Sequence, residues 1–222
     1  MENKAPEQEI KIESSFGKKF ENFWYYHKWK VIVAAFVAVV LAVCVYSCVV
    51  RPKVDITVVY AGPMVSTNQC IPVINENLSD IMPESVGKNG ASVIVLSIFE
   101  DEEYRNITTD SYKSLGNYLG MGNYSIYMLD PDVYEYYKSD KEIFVPLEEI
   151  FGDDLPASAY YKDAIKLSET KLYKNNPNGI GKLPKDTIVC IRVETPFSTG
   201  CSGQGGADDY QRALDMFKEI AK

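Results

Sequence analysis

Histidine is almost absent from this chain. The single one, His27, precedes a long apolar run, and nothing after it carries an imidazole. A Ser-His-Asp or Cys-His hydrolase, a His-ligated zinc centre and a His general base are thereby excluded from everything beyond that run. Cysteine is sparse: Cys44 and Cys48 lie four apart inside the run, and Cys70, Cys190 and Cys201 are scattered after it, without CxxC spacing. No zinc or redox signature follows, and at most one disulfide can form among the last three. An excess of positive charge is also missing. Six of the 23 basic and five of the 31 acidic residues precede residue 51, which leaves 17 against 26 and a formal charge of −9. A surface of that sign disfavours nucleic acid and anionic lipid as partners. The Ser198 to Gly206 stretch is rich in glycine and serine but has no Lys-Ser/Thr ending, so it reads as a loop and not a phosphate cradle. Neither cofactor nor metal is expected.

What the chain has instead is one hydrocarbon-length plug. Val31 to Val50 is twenty residues without a charge, twelve of them Val, Ile, Leu or Phe. At ~1.5 Å per residue such a helix is about 30 Å long, the thickness of a bilayer core. Trp24, Tyr25, Tyr26 and Trp29 before it suit the headgroup level and are read as membrane anchors. Lys18, Lys19, Lys28 and Lys30 precede the plug, whereas Arg51 and Lys53 follow it. The positive-inside bias puts the N-terminus in the cytoplasm and the large C-terminal part outside, on a single-pass cell-membrane protein. Val45-Tyr46-Ser47-Cys48 offers a lipobox-like alternative, which Tyr46 and the continuing Val49-Val50 count against. The expected organisation is a cytoplasmic tail with an interfacial segment over 1–30, a transmembrane helix over 31–50 and an outer α/β domain over 54–222. The lipid bilayer is then a partner by construction.

The outer part alternates buried strands with amphipathic helices. Val54 to Tyr60 is a β-branched run ending at Ala61-Gly62-Pro63, and Ala91 to Phe99 is a second one. Between them Ile71, Ile74, Leu78 and Ile81 are spaced for one helix face, with Ser66 or Thr67 as its cap. Tyr112, Leu115 and Leu119 predict another helix, stopped by Gly120 and Gly122; Ser125 to Leu129 predicts a short strand. Asp130-Pro131-Asp132 opens a further helix, and a helical turn ends near Phe151. The stretch from Asp153 to Lys185 is harder to read, with a short strand over Ile165 to Leu167 and a turn at Asn175 to Gly179. Thr187 to Val193 predicts a strand, and Asp208 caps a terminal helix striped by Tyr210, Leu214, Phe217 and Ile220. Near-continuous apolar strands alternating with helices predict a three-layer α/β domain with a mainly parallel sheet.

Several of these segments carry a resemblance. Tyr60-Ala61-Gly62, Tyr112-Lys113-Ser114-Leu115, Tyr124 to Asp130, the helix with Val133, Tyr134 and Tyr137, and Phe144-Val145-Pro146-Leu147-Glu148 together resemble the first lobe of type 2 periplasmic-binding-fold (extracellular solute-binding) proteins. The anchor and its aromatic collar resemble single-pass membrane proteins of Gram-positive, clostridial-type bacteria. The resemblance implies a periplasmic-binding-protein-like fold in reduced form, because about 70 residues after Phe151 are too few for a second lobe.

In open α/β sheets ligands gather beyond the carboxyl ends of strands. Tyr60, Gly62, Glu100 and Asp130 fall at those ends and are the candidate ligand-binding residues: Gly62 for close backbone approach, Tyr60 for stacking, Asp130 for an amine or hydroxyl. The competing reading makes Gly62-Pro63 a turn and Asp130 a helix cap. Asp130, Asp132 and Glu135 lack the ladder of an EF-hand loop. The expected function is a non-enzymatic binding or interaction module, holding a small solute or serving as an accessory to a membrane protein such as a transporter or signalling complex. The alternatives are a carboxylate-dependent surface enzyme and a structural envelope protein without a ligand.

Overall fold

The computed structural model describes residues 16–50, 54–63, 70–138, 143–195 and 207–222. The Ser66 or Thr67 cap, the Arg51-Pro52-Lys53 exit, Cys201 and the Ser198 to Gly206 loop lie outside the described residues. The chain forms two compact units, residues 1–51 and 52–222.

The first unit is a single helix, α1 (Phe16–Val50). Its 35 residues at ~1.5 Å each make it about 52 Å long, so the collar and the apolar run form one continuous rod. The stretch from Phe23 to Tyr46 is long and apolar enough to cross a membrane, with an 18-residue window of mean hydropathy 2.5, and none of it is buried. Trp24, Tyr25, Tyr26 and Trp29 are all exposed along it.

The second unit is an α/β domain built on one sheet of six strands: β1 (Ile56–Gly62), β2 (Ala91–Ser97), β3 (Ile126–Leu129), β4 (Ala159–Tyr161), β5 (Ala164–Lys166) and β6 (Ile188–Ile191). The spatial order is β2-β1-β3-β6-β5-β4. β1 pairs parallel with β2 on one edge and with β3 on the other. The remaining pairings, β3 with β6, β6 with β5 and β5 with β4, are antiparallel. The sheet is therefore mixed and mostly antiparallel, which corrects the mainly parallel expectation. The physical reason is that Ile188 to Ile191 is buried on both faces whatever its direction, and two-sided burial alone makes a strand read as a continuous apolar run.

Helices cover both faces. Strand alternation sends Ile56, Val58 and Tyr60 to one side and Val59 and Ala61 to the other. The first side packs against α2 (Cys70–Asp80), α5 (Leu147–Phe151), α6 (Lys171–Asn175) and α7 (Ala207–Ala221). The second packs against α3 (Arg105–Met121) and α4 (Pro131–Lys138). α7 buries Ala213, Met216, Phe217 and Ile220 at helical spacing, and Ser158 Oγ donates to its terminal Ala221 carbonyl at 2.7 Å. That helix begins at Ala207, so Asp208 stands within its first turn and not before it. α3 ends as expected at Gly122, in the left-handed region at φ 69°.

The first half of the outer edge of β2 is capped by α2. Asn75 Oδ1 accepts from Val93 N–H and Ser79 Oγ from Ala91 N–H, both at 2.8 Å. Exposed edge N–H groups invite another strand, and side-chain acceptors remove that hazard. Replacing Asn75 by Ala leaves the Val93 N–H without its acceptor and is expected to cost about 1–3 kcal/mol. Urea unfolding of the full chain in a nonionic detergent measures it; an unchanged midpoint refutes the edge-capping role.

Candidate functional site

β1, β2 and β3 run parallel, so their carboxyl ends emerge along one margin of the sheet. Backbone bonds tie the exits together: Ile98 N–H donates to Gly62 O at 3.1 Å and Asp130 N–H to Ala61 O at 2.9 Å. β6 runs the other way, so its start lies here too, with Ile188 opposite Leu129. α2 follows β1 on one face and α3 follows β2 on the other, which makes β1 and β3 flank a topological switch point. Such a divergence of connections leaves a crevice at the strand ends.

A cavity of about 880 Å³ occupies that place. Pro63 comes from the end of β1, Ser97 and Ile98 from the end of β2, and Asp130, Asp132 and Val133 from the exit of β3. Its aromatic lining comes from Phe99, Tyr104 and Tyr112, with Ile107 and Thr108 between them in sequence. Local bonds hold these in position. Asp101 accepts from Glu103 N–H and so starts the turn Glu102–Tyr104 that leads into α3. Thr108 Oγ1 accepts from Phe99 N–H at 3.0 Å and donates to Phe99 O at 3.2 Å. Ser111 Oγ donates to Ser97 O at 2.7 Å. Two hydroxyls of α3 thus stitch it to the end of β2. The Phe99 and Tyr104 rings meet at 4.9 Å between centroids.

The four expected residues are placed differently from one another. Glu100 is exposed and lines the cavity. Asp130 also lines it while capping α4: its carboxylate accepts from Asp132 N–H at 3.1 Å, and its carbonyl from Tyr134 N–H at 2.9 Å. The helix-cap reading of Asp130 is thus realised, and the same residue borders the cavity. Burial raises its carboxyl above the usual carboxylate range; the Asp132 N–H opposes this, and the neighbouring charges of Asp186, Asp132 and Glu100 add to it. Gly62 is extended backbone, and its lack of a side chain serves packing. A Cβ there falls 2.9 Å from Tyr60 Oη and 3.2 Å from Asp130 Cβ. Tyr60 is 1 % exposed, with its ring in the core on the α2 and α7 side. Its hydroxyl has no partner among the described residues and is pushed up by burial, then by Asp130 and Asp186. The rings on the cavity are Phe99, Tyr104 and Tyr112 instead.

These aromatic residues are what sequence reasoning missed. The signal was present in part: Tyr104 and Ile107 are large apolar residues three apart within a polar, acidic stretch, and they remain 40 % and 51 % exposed. The acidic tract from Glu100 to Glu103 has the composition of a solvated loop, which hides the wall built into it. Among the described residues no three His, Cys, Asp or Glu side chains come together as a metal-binding group.

Two expectations follow from this geometry. Gly62→Ala destabilises the fold, because the new methyl must displace either the Tyr60 hydroxyl or Asp130; thermal unfolding reads the loss, and an unchanged transition removes the packing role. For Asp130 the sign is set by its raised folded-state pKa. The folded chain holds this proton more tightly than the unfolded one, so the contribution to stability is full below the unfolded value of about 3.9 and is lost as pH rises through the folded value. Asp130→Asn keeps a comparable cap without the charge, whereas Asp130→Ala loses a cap worth about 1 kcal/mol. Stability at neutral pH is expected in the order Asn at or above Asp, with Ala lowest. Urea unfolding between about pH 4 and 7 checks it, and the Asn variant's advantage should shrink toward the acid end.

The chain matches no protein-family model, no curated protein and no solved structure.

Proposed function

We propose that this chain is a membrane-tethered binding module. α1 crosses the bilayer with its lysine-rich end in the cytoplasm, and the α/β unit outside holds a ligand in the strand-end cavity. The observation that carries this reading is the position of that cavity at the switch point of three parallel strands, where α/β sheets receive ligands. Its volume lies within the ~300–1,000 Å³ typical of small-molecule sites. The β2-β1-β3 half with its two crossover helices supports descent from a reduced first lobe of a periplasmic-binding fold. The antiparallel β6-β5-β4 half departs from it. Tethering leaves occupancy of the cavity as the signal, offered to a transporter or signalling partner in the plane of the membrane.

A carboxylate enzyme is the second reading, favoured by Asp130, a half-buried acid among other acids. Its commitment to capping α4 makes binding the stronger one.

The test is a thermal-shift screen of the full chain in nonionic detergent against sugars, amino acids, amines and short peptides. At ~100-fold excess over Kd a true ligand stabilises by about 2.7 kcal/mol. That gain is expected to change in Ile107→Asp, which puts a charge on the cavity lining without touching the core: it falls for a neutral or anionic ligand and rises for a cationic one. A hit unaffected by Ile107→Asp rejects this cavity as the site. Protease added to intact cells is expected to remove an epitope placed after Lys222; protection in intact cells and cleavage in opened ones rejects the outside placement.

A further inference from the structure

We propose that the strand-end cavity selects a small organic cation, an ammonium or amidinium group carried on an apolar body. The assignment rests on the reading of this cavity as a ligand site and names the chemistry it takes. Two independent properties of the lining point to it.

The first is charge. Glu100, Asp101, Asp130 and Asp132 all contribute to the lining, and among the described residues no Lys or Arg does. Arg105, close by in sequence, lies outside the lining and pairs with Glu102 at 3.4 Å, both side chains largely in water. An anion meets four carboxylates and, among the described residues, no counter-charge; a neutral solute can use them as hydrogen-bond acceptors but leaves their charge unanswered.

The second is the set of rings. Phe99, Tyr104 and Tyr112 share the lining with those acids. An aromatic face carries negative potential and attracts a cation within ~6 Å of its centroid. Elsewhere in the domain the chain answers that attraction internally: Lys138 Nζ lies 4.3 Å from the Tyr161 centroid and 5.2 Å from that of Tyr134. Among the described residues no lysine or arginine sits over Phe99, Tyr104 or Tyr112. Rings and carboxylates on one small-molecule-sized cavity, without an internal cation, are complementary to a positive group with apolar substituents.

The experiment is calorimetric titration of the full chain in a maltoside detergent with choline and benzyltrimethylammonium. Dimethylbutanol serves as the uncharged carbon isostere of choline. The cations are expected to bind at least about tenfold more tightly than the isostere, with affinity falling as salt is raised. Tyr104→Ala and Asp132→Asn, both exposed positions, are each expected to weaken the cations by about three- to tenfold, with circular dichroism confirming the fold. Equal affinity for choline and its isostere overturns the cation assignment, as does tighter binding of a lysine-rich peptide with no response to either small cation. A neutral or anionic solute bound by the wild type and released by Ile107→Asp also overturns it, while leaving the binding module standing. Silence of cations, neutral solutes and anions alike sinks both.

Discussion

β1 has parallel neighbours on both edges, and most of the α/β domain's architecture follows from that double pairing. A parallel neighbour cannot be reached by a hairpin; each one requires the chain to cross back over the sheet. α2 makes the first return on one face and α3 the second on the opposite face, so the sheet is covered on both sides before β3 is laid down. At the strand ends the α3 connection diverges from the exit of β3 into α4, and the cavity lies between these two, with Pro63 at the end of β1 completing the lining. Thr108 and Ser111 hold the second connection down onto the end of β2, which fixes how far the divergence opens. Site and fold are in this sense one consequence of a single pairing choice.

Beyond β3 the constraint changes. β6 enters antiparallel, and β5 and β4 form a hairpin of three-residue strands that carries the sheet to its other edge. Short antiparallel strands need no crossover helix, which explains how a domain of this length completes a six-stranded sheet. The sequence announces β1, β2, β3 and β6 through apolar runs, and α2, α3 and α7 through helical spacing. It does not announce the direction of β6, because Val189 and Ile191 face the α7 side while Ile188 and Cys190 face the α4 side. Every position is therefore apolar for reasons of burial alone. β4 was illegible for the opposite reason: Ala159-Tyr160-Tyr161 is an edge strand, half in water, with too few residues to show a period.

The site was legible to the extent that strand ends are legible. Glu100 and Asp130 stand on the cavity because each directly follows a strand or its exit turn. Tyr60 does not, and parity accounts for it. It shares the alternation of Ile56 and Val58, which face the α2 side, whereas the cavity opens toward α3. Parity can be counted in a sequence; which face of a two-sided sheet carries the open connection cannot. Gly62 was read as leaving room for a ligand, yet the room it leaves is taken up by Tyr60 and Asp130 of the same chain.

Asp130 is where local stability and the acidic lining pull apart. Its carboxylate is needed to accept the Asp132 N–H and start α4, but asparagine accepts that bond about equally well at a helix N-terminus. The charge is thus surplus to the cap. It is also unfavourable, since the group is half-buried and faces Asp186, Asp132 and Glu100 with no basic side chain among the cavity's described residues to offset them. A residue that works against its own surroundings where a neutral one would serve marks a place at which folding is not the only demand. The same lining holds Tyr104 and Ile107 partly in water, a second departure from what folding alone favours. The proposed cation with apolar substituents answers both at once, offsetting the half-buried Asp130 charge and covering the exposed faces of Tyr104 and Ile107.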